Sequence, residues 1–293
     1  MDSATAAITA AGGACVVKAD GLAAGKGVVV ADTADEASAA AAEMLDGRFG
    51  DAGRMLLIEE RIAGPEASLF ALIDGPNALF MGSAQDHKRA FDGDRGPNTG
   101  GMGAVSPAPR LTDDVQAQVM AEVVKPLAEG MAAEGTPYRG ILYVGLMLTE
   151  TGPQVIEFNC RLGDPEAQVI LPRLRSDLVA AMLGTIEGSL GHLSLRWNND
   201  VAVTVVMAAN GYPGTYEKGS VIGGTDTAAG DDVILFHAGT TIDPDGTVRA
   251  AGGRVLAVTG LGADVATARA AAYRAVRAID WPDGFYRGDI AAT

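Results

Sequence analysis

With 293 residues, 48% hydrophobic and only 5% aromatic, the chain can bury a sizeable core of aliphatic side chains and alanine, and two domains are expected rather than one. Its formal net charge of -15 argues against a nucleic-acid groove or an anionic membrane surface, so any anionic ligand must meet a local cluster of cations. Cys15 and Cys160 sit in apolar, strand-like contexts without metal or disulfide spacing and read as reduced buried thiols; with no apolar run of about 18 residues and no basic, then apolar, start, a soluble cytoplasmic protein is expected.

The stretch up to Gly13 is alanine-rich and too short for a domain. Residues 14–31, A-C-V-V-K-A-D-G-L-A-A-G-K-G-V-V-V-A, place a glycine-rich connection between two β-branched runs, which predicts a hairpin with a flap. Gly21, Gly25 and Gly27 would let amides approach phosphate oxygens, and Lys18 and Lys26 add positive charge. A Walker-type loop would need glycine where Asp20 stands, Ser or Thr where Gly27 stands, and a helix to follow; here a strand follows. The bracketing lysines favour a phosphate-covering lid over a plain glycine hairpin. Residues 34–46 predict a helix capped by Asp32 or Thr33. Residues 55–74 predict strand, turn at Gly64-Pro65, strand. Glu59 and Glu66 flank that turn, positions from which carboxylates can receive an amine and hydroxyls of a nucleotide; taken alone, two ordinary exposed glutamates is the stronger reading.

Two short strands, 78–80 and 82–85, precede D-H-K-R-A-F-D-G-D-R-G-P-N-T-G-G-M-G-A at 86–104. Asp86 is followed by a cationic cluster, His87, Lys88 and Arg89. The glycine-rich loop 96–103 offers exposed amides with Asn98 and Thr99, a cradle for a sugar phosphate in preference to a loose surface loop. A helix is predicted from Thr112 to about Ala133, with Asp113 and Asp114 in its first turn. The strands 140–148 and 153–158 should form a hairpin through Glu150-Thr151-Gly152. It delivers the chain to V-I-E-F-N-C-R-L-G-D-P-E at 155–166, where Val155, Ile156 and Phe158 look like a buried strand end. Glu157, Asn159 and Arg161 would then project from one face. A carboxylate and an amide oxygen suit a hard cation that takes its remaining ligands from phosphates, and a guanidinium suits a phosphate; an edge strand with merely solvated side chains is the alternative. Asp164-Pro165-Glu166 should cap the next helix, and a second covers about 176–187. A composition shift at 192–200 marks an expected boundary, beyond which short strands, glycine turns and a helix at about 263–278 form an α+β unit. His192 and His237 read as structural.

The lysine-bearing flap, the paired glutamates and the Glu-x-Asn strand end together resemble the ATP-grasp ligases. Within them, the strings at 18–28, 86–89, 96–104 and 156–166 resemble the phosphoribosylamine-glycine ligase (glycinamide ribonucleotide synthetase) family. The likeness runs over nearly the whole chain, including Asn210 to Gly214 and F-H-A-G-T at 236–240. It implies an α+β ATP-grasp fold with a lid subdomain at 1–61 (incomplete at its N-terminal side), a core at 62–191 holding the metal and substrate sites, and a small C-terminal α+β domain of short strands at 192–293. It further implies that ATP phosphorylates glycine and that 5-phosphoribosylamine attacks the glycyl phosphate. Lys18, Gly21, Gly25, Lys26 and Gly27 would hold ATP phosphates, with Glu59, Ile62 and Glu66 at adenine and ribose. Glu157 and Asn159 would bind Mg2+ or Mn2+, and Arg161 would act as the catalytic residue on the transferring phosphoryl group. Asp86, His87, Lys88, Arg89, Asn98, Thr99, Gly100, Gly101, Met102 and Gly103 would receive phosphoribosylamine. Two departures stand out. Residues 143–148 carry no second metal carboxylate, and the nucleotide-fold domain with a G-x-G-G-R-E-H-type motif that opens family members is not in the sequence, so it is expected in a longer chain or in trans. The alternatives are another ATP-grasp carboxylate-amine ligase, or a truncated ATP-binding module without activity of its own.

Overall fold

The computed structural model describes residues 1–23, 27–228 and 230–292, and the chain divides into two units, Met1–Ala63 and Gly64–Thr293. In the first unit the alanine-rich opening is a helix, α1 (Asp2–Ala10), that buries Ile8. The β-branched runs form an antiparallel sheet in the order β2-β1-β3, with β1 at Cys15–Ala19, β2 at Val28–Val30 and β3 at Leu56–Glu60. Gly25 and Lys26 of the expected flap lie outside the described residues. Of the two candidate caps of α2 (Ala34–Glu43), Thr33 serves: its hydroxyl accepts the Glu36 amide at 3.2 Å, while the Glu36 carboxylate accepts the Asp32 amide at 2.8 Å. Ala37, Ala40 and Ala41 then bury against Cys15, Val17 and Ile8. The regular helix stops earlier than expected because Gly47 takes φ +98 within a widened turn.

In the second unit the strands are β4 (Glu66–Asp74), β5 (Ala78–Asp86), β6 (Arg89–Phe91), β7 (Arg95–Asn98), β8 (Gly103–Ser106), β9 (Arg139–Thr149), β10 (Gly152–Asn159) and β11 (Val201–Ala209), followed by β12 (Val221–Ile222), β13 (Val233–His237), β14 (Thr240–Ile242), β15 (Val248–Ala250), β16 (Arg254–Gly262) and β17 (Gly284–Phe285). Among the described residues a nine-stranded sheet runs β10-β9-β4-β5-β8-β11-β16-β13 with β17 beside β11, and all its pairings are antiparallel. Period-two alternation sorts the strand residues onto two faces. Leu69, Ala71, Ile73, Leu142, Val144 and Leu146 pack with Val119, Val124 and Ala128, from the helical stretch expected over 112–133. That stretch comprises α3 (Asp113–Val119), a π-type turn at Met120–Val124 and α4 (Lys125–Ala133); Pro126, which lacks an amide to donate, follows the widened turn. Phe70, Leu72 and Tyr143 on the opposite face pack with Val169 and Ile170 of α5 (Ala167–Ile170) and Ala181 of α6 (Leu178–Glu187).

Beyond α7 (Thr225–Ala228), α8 (Val265–Ala278) lays Ala268, Ala271, Ala272 and Val276 among Val203, Val205, Leu256 and Val258. The approach is close enough that a Cβ at Gly260 would stand 2.2 Å from the Ala268 carbonyl oxygen. The sheet is continuous across the boundary expected at 192–200. β8 pairs with β11, Val105 opposite Val203, and carries the sheet straight across it. Among the described residues no helix is long and apolar enough to cross a membrane.

Candidate active site

Directly paired residues of antiparallel strands share a face, so the registers align Glu157 with Gly145, Ser68 and Ala84. Two-residue steps along each strand bring Asn159, Tyr143, Glu66 and Asp86 to that face. A bulge makes this possible: the β9–β10 register shifts between Val155 and Glu157. Without it, Val155 and Glu157 would point the same way; with it, Val155 joins the helix-side core and Glu157 turns to the polar face. The expected buried strand end is corrected, because β10 is an edge strand and Phe158 is 44% exposed. Arg161 lies past the end of β10, and its Nη1 donates to the Leu162 carbonyl at 2.9 Å.

The Asn159 amide nitrogen donates to Glu157 Oε1 at 3.3 Å, which puts one carboxylate and one amide side by side. Among the described residues no three of His, Cys, Asp and Glu cluster as metal ligands. This donor set fits a hard divalent cation that completes its shell with phosphate oxygens and water, and does not fit a structural zinc.

Inward of that pair runs a polar row. Lys88 Nζ sits 2.6 Å from Glu66 Oε2. Burial pushes Asp86 up to about 6, with Lys88 opposing and Glu66 adding to the rise. Burial alone would depress Lys88, but Asp86 and Glu66 outweigh it and hold the ammonium protonated above its ordinary value. Glu166 is 3% exposed; burial, then the charge of Asp86, pushes it up to about 7. Ser68 Oγ lies 3.0 Å from Tyr143 Oη and 3.4 Å from Glu166 Oε1. Ser68 has one proton, so a protonated Glu166 that donates to Ser68 leaves the serine proton for Tyr143. A Cβ at Gly163 would stand 2.3 Å from Glu166 Oε2, which accounts for that glycine.

A raised carboxyl stabilises the fold below its unfolded value and loses that contribution as pH rises through the folded one. Glu166→Gln is therefore expected to raise stability at pH 8 by about 2 kcal/mol, somewhat less than the full rise implies because part of that rise comes from the neighbouring charge of Asp86, and to give no gain near pH 4. Thermal melts of both proteins at the two pH values check this, and an equal gain at both contradicts it.

Several expected sites are rearranged. His87, Lys88 and Arg89 are not one cluster, because successive residues of an extended segment alternate in direction. His87 Nε2 accepts the Ala291 amide at 3.3 Å, and burial, then Arg287, lowers its pKa, so it is neutral. Lys88 turns to Glu66, and the exposed Arg89 donates from Nη1 to the Gly96 carbonyl at 2.9 Å. The amides of the glycine loop are already engaged, so they form no open cradle: Thr99 donates to the Lys88 carbonyl at 2.8 Å, Gly100 to the Tyr212 hydroxyl at 3.0 Å, Gly101 to Thr99 Oγ1 at 3.0 Å and Met102 to the His87 carbonyl at 2.8 Å. Met102 itself is 0% exposed, and Gly103 begins β8. Asn98 is exposed and Thr99 half-buried. Asp164 does not cap α5; it pairs with Arg254 at 2.8 Å. Of the two thiols, Cys15 is buried but Cys160 is exposed. Sequence reasoning passed over Ser68, Tyr143 and Arg254, and gave Tyr212 and Glu166 no site role though both fall in strings it quoted.

In the first unit Lys18 pairs with Glu59 at 2.5 Å, across β1 and β3. The Gly21 amide donates to the Ala52 carbonyl at 3.1 Å, and a Cβ at Gly21 would stand 2.5 Å from Ala52 Cα, so close backbone packing explains this glycine. Gly27 is buried, its carbonyl accepting the Ala19 amide at 2.8 Å, and Ile62 is half-buried. Glu59 and Glu66 fall on different units, each in an ion pair with a lysine.

The family model for the ATP-grasp (A) domain of phosphoribosylglycinamide synthetase matches residues 1–167, and that for its C domain matches 202–293. The chain is 54% identical over 290 residues to phosphoribosylamine–glycine ligase of Mesorhizobium japonicum, covering 99% of this chain and 68% of the relative. It is 54% identical to the enzyme of that name from Caulobacter vibrioides, covering 94% and 65%, and 50% identical to that of Escherichia coli O157:H7, covering 99% and 68%. The chain thus spans about two thirds of the length of these relatives. The crystal structure of phosphoribosylamine–glycine ligase from Thermotoga maritima matches with TM-score 0.83 at 36% identity, covering 94% of this chain and 68% of that one. The biotin carboxylase domain of Hydrogenobacter thermophilus 2-oxoglutarate carboxylase, in complex with MgADP, shares the fold alone, at TM-score 0.70 and 17% identity, covering 97% and 61%. On these matches the chain belongs to the phosphoribosylglycinamide synthetase family and has its α+β ATP-grasp fold.

Proposed function

We propose that this chain carries the ATP-dependent ligation of glycine to 5-phosphoribosylamine, with glycinamide ribonucleotide, ADP and phosphate as products. The observation that carries the reading is the placing of Glu157 and Asn159 on the same sheet face as the Asp86–Lys88–Glu66 row, in a chain 54% identical to ligases of that name. The γ-phosphoryl group of ATP passes to the glycine carboxylate. The amine nitrogen then forms the amide bond as phosphate leaves and one proton is lost from nitrogen. Positioning and charge neutralisation supply most of the acceleration.

Glu157 and Asn159 hold Mg2+ or Mn2+, which supplies charge neutralisation at the phosphoryl oxygens. Arg161 steadies the transferring phosphoryl group. Lys18, Gly27, Glu59 and Ile62, all of the first unit, serve the nucleotide. The side chains of Asn98, Thr99 and Arg89 serve the sugar phosphate, and Lys88 with Asp86 fixes the charge of the substrate pocket. Purine biosynthesis in the cytoplasm is the setting this reading implies, in keeping with the free thiols.

The test is ADP release by the purified chain with ATP and Mg2+, with glycine and 5-phosphoribosylamine added singly and together. Release that needs both is the expected result. Release driven by another carboxylate would make it a different carboxylate-amine ligase, and Mg2+-dependent ATP binding without turnover would make it a binding module.

A further inference from the structure

We infer that Arg254 is the positioning residue that locks the glycine loop 98–103 onto the loop 160–166, so that the side chains assigned to the amine substrate and to the phosphoryl group share one geometry. The kinetic part of this inference rests on the ligase reading; the clamp itself does not.

Arg254 opens β16, and its side chain is 20% exposed. Nη1 donates to the carbonyls of Gly100 at 2.6 Å and Asp164 at 2.7 Å, with a longer contact to that of Gly101 at 3.3 Å, while Nη2 meets Asp164 Oδ2 at 2.8 Å. An ordinary surface ion pair joins two side chains; here one nitrogen of the planar fork takes main-chain carbonyls from two separate loops while the other holds the Asp164 carboxylate, a two-nitrogen grip that a single lysine ammonium does not reproduce.

Steric fit agrees. A Cβ at Gly100 would stand 2.9 Å from Arg254 Cζ, so the guanidinium lies directly over that residue. Gly101 has φ +108, and a Cβ there would stand 2.4 Å from Pro165 Cδ. Both glycines are thus required for the two loops to meet beneath Arg254. Gly100 is held from its other side as well, since its amide donates to the Tyr212 hydroxyl at 3.0 Å. The Tyr212 ring in turn packs on Gly253, where a Cβ would stand 2.4 Å from Cδ2. The string N-T-G-G-M-G thereby meets G-D-P-E, G-Y-P-G and G-G-R at one point, with Asn98 and Thr99 in one loop and Arg161 in the other.

The experiment compares the full chain with Arg254→Ala and Arg254→Lys by hydrogen–deuterium exchange and by steady-state kinetics. Arg254→Ala is expected to speed exchange in peptides covering 98–103 and 160–166 by about tenfold or more while β4 and β9 keep their protection, with Arg254→Lys in between. Unchanged exchange in either loop, or an equal rise across the chain, overturns the clamp. In turnover, Arg254→Ala should raise KM for 5-phosphoribosylamine about tenfold and leave KM for ATP within about twofold; a fall in kcat with both KM values unchanged overturns the positioning role. A wild-type chain that does not ligate glycine defeats the ligase reading instead, and the exchange measurement still decides the clamp.

Discussion

Glu157→Ala is expected to lower glycine-dependent ADP release about a thousandfold, because loss of several kcal/mol of charge neutralisation at a transferring phosphoryl group corresponds to about three powers of ten in rate. The cause is local. Glu157 contributes the carboxylate of a two-residue oxygen set, and the adjacent Asn159 amide has no charge with which to replace it. The fold should tolerate the change, since Glu157 is an exposed residue on the edge strand β10 and its truncation opens no cavity. Glu157→Gln keeps the shape and removes only the charge, so it should fall nearly as far as the alanine variant if charge is the issue. Asn159→Ala should lose less, about a hundredfold, as one neutral ligand can be replaced by water. Melting temperature, turnover and the Mg2+ dependence of ATP affinity are measured together. Turnover within about tenfold of the parent, or an unaltered Mg2+ dependence, removes Glu157 from the metal site.

What could be read in advance follows from how far each interaction reaches along the chain. Thr33 capping Glu36 and Thr112 capping Val115 are three-residue events, and both helix starts were legible. So was the hairpin β9–β10, whose turn joins strands with plain apolar runs, whereas the two short strands expected at 78–80 and 82–85 are one strand, β5, paired with β4 across a bulge. The bulge that turns Glu157 away from Val155 was not, because a bulge exists only relative to a partner strand, and no local residue marks Ile156 as the extra one. The glycine loop shows the same limit in chemical form. Its glycines are obvious, but their amides are taken by partners such as Tyr212, 112 residues away, so a loop that looks open in sequence is closed in the fold. Arg254 lies 90 residues from Asp164 and 154 from Gly100, beyond any spacing argument. The dispersal of His87, Lys88 and Arg89 was a different failure, since period-two alternation already forbids three consecutive extended residues from pointing one way.

The largest loss of stability is expected at Arg287, whose side chain is the biggest fully buried one among the described residues, at 1% exposure. Nε and Nη2 hold Asp289 in a bidentate pair at 2.7 and 2.8 Å, and Nη1 reaches Asp94 at 2.8 Å and the Arg89 carbonyl at 3.0 Å. The group thus fastens the segment after β17 to the β6–β7 hairpin. Asp289 receives the Gly93 amide at 2.7 Å, and Asp92 the Gly288 amide at 2.8 Å, reinforcing the same seam. Arg287→Met keeps much of the volume but strands the Asp289 carboxylate, and breaking a buried pair from one side costs about 3 kcal/mol. Asp94 adds little, being 72% exposed and free to regain water. The sign of the pH dependence is fixed by Asp289, which its hydrogen bonds from Arg287 hold far below the usual carboxylate range. A depressed carboxyl stabilises the fold above its unfolded value, so the difference between parent and variant should be full at neutral pH and shrink as pH falls below about 4. Asp289→Asn strands the guanidinium instead, and the double variant should cost less than the two single losses added together. Denaturant melts at pH 7 and pH 2.5 decide it: a difference that ignores pH, or strictly additive losses, means that Arg287 contributes packing alone.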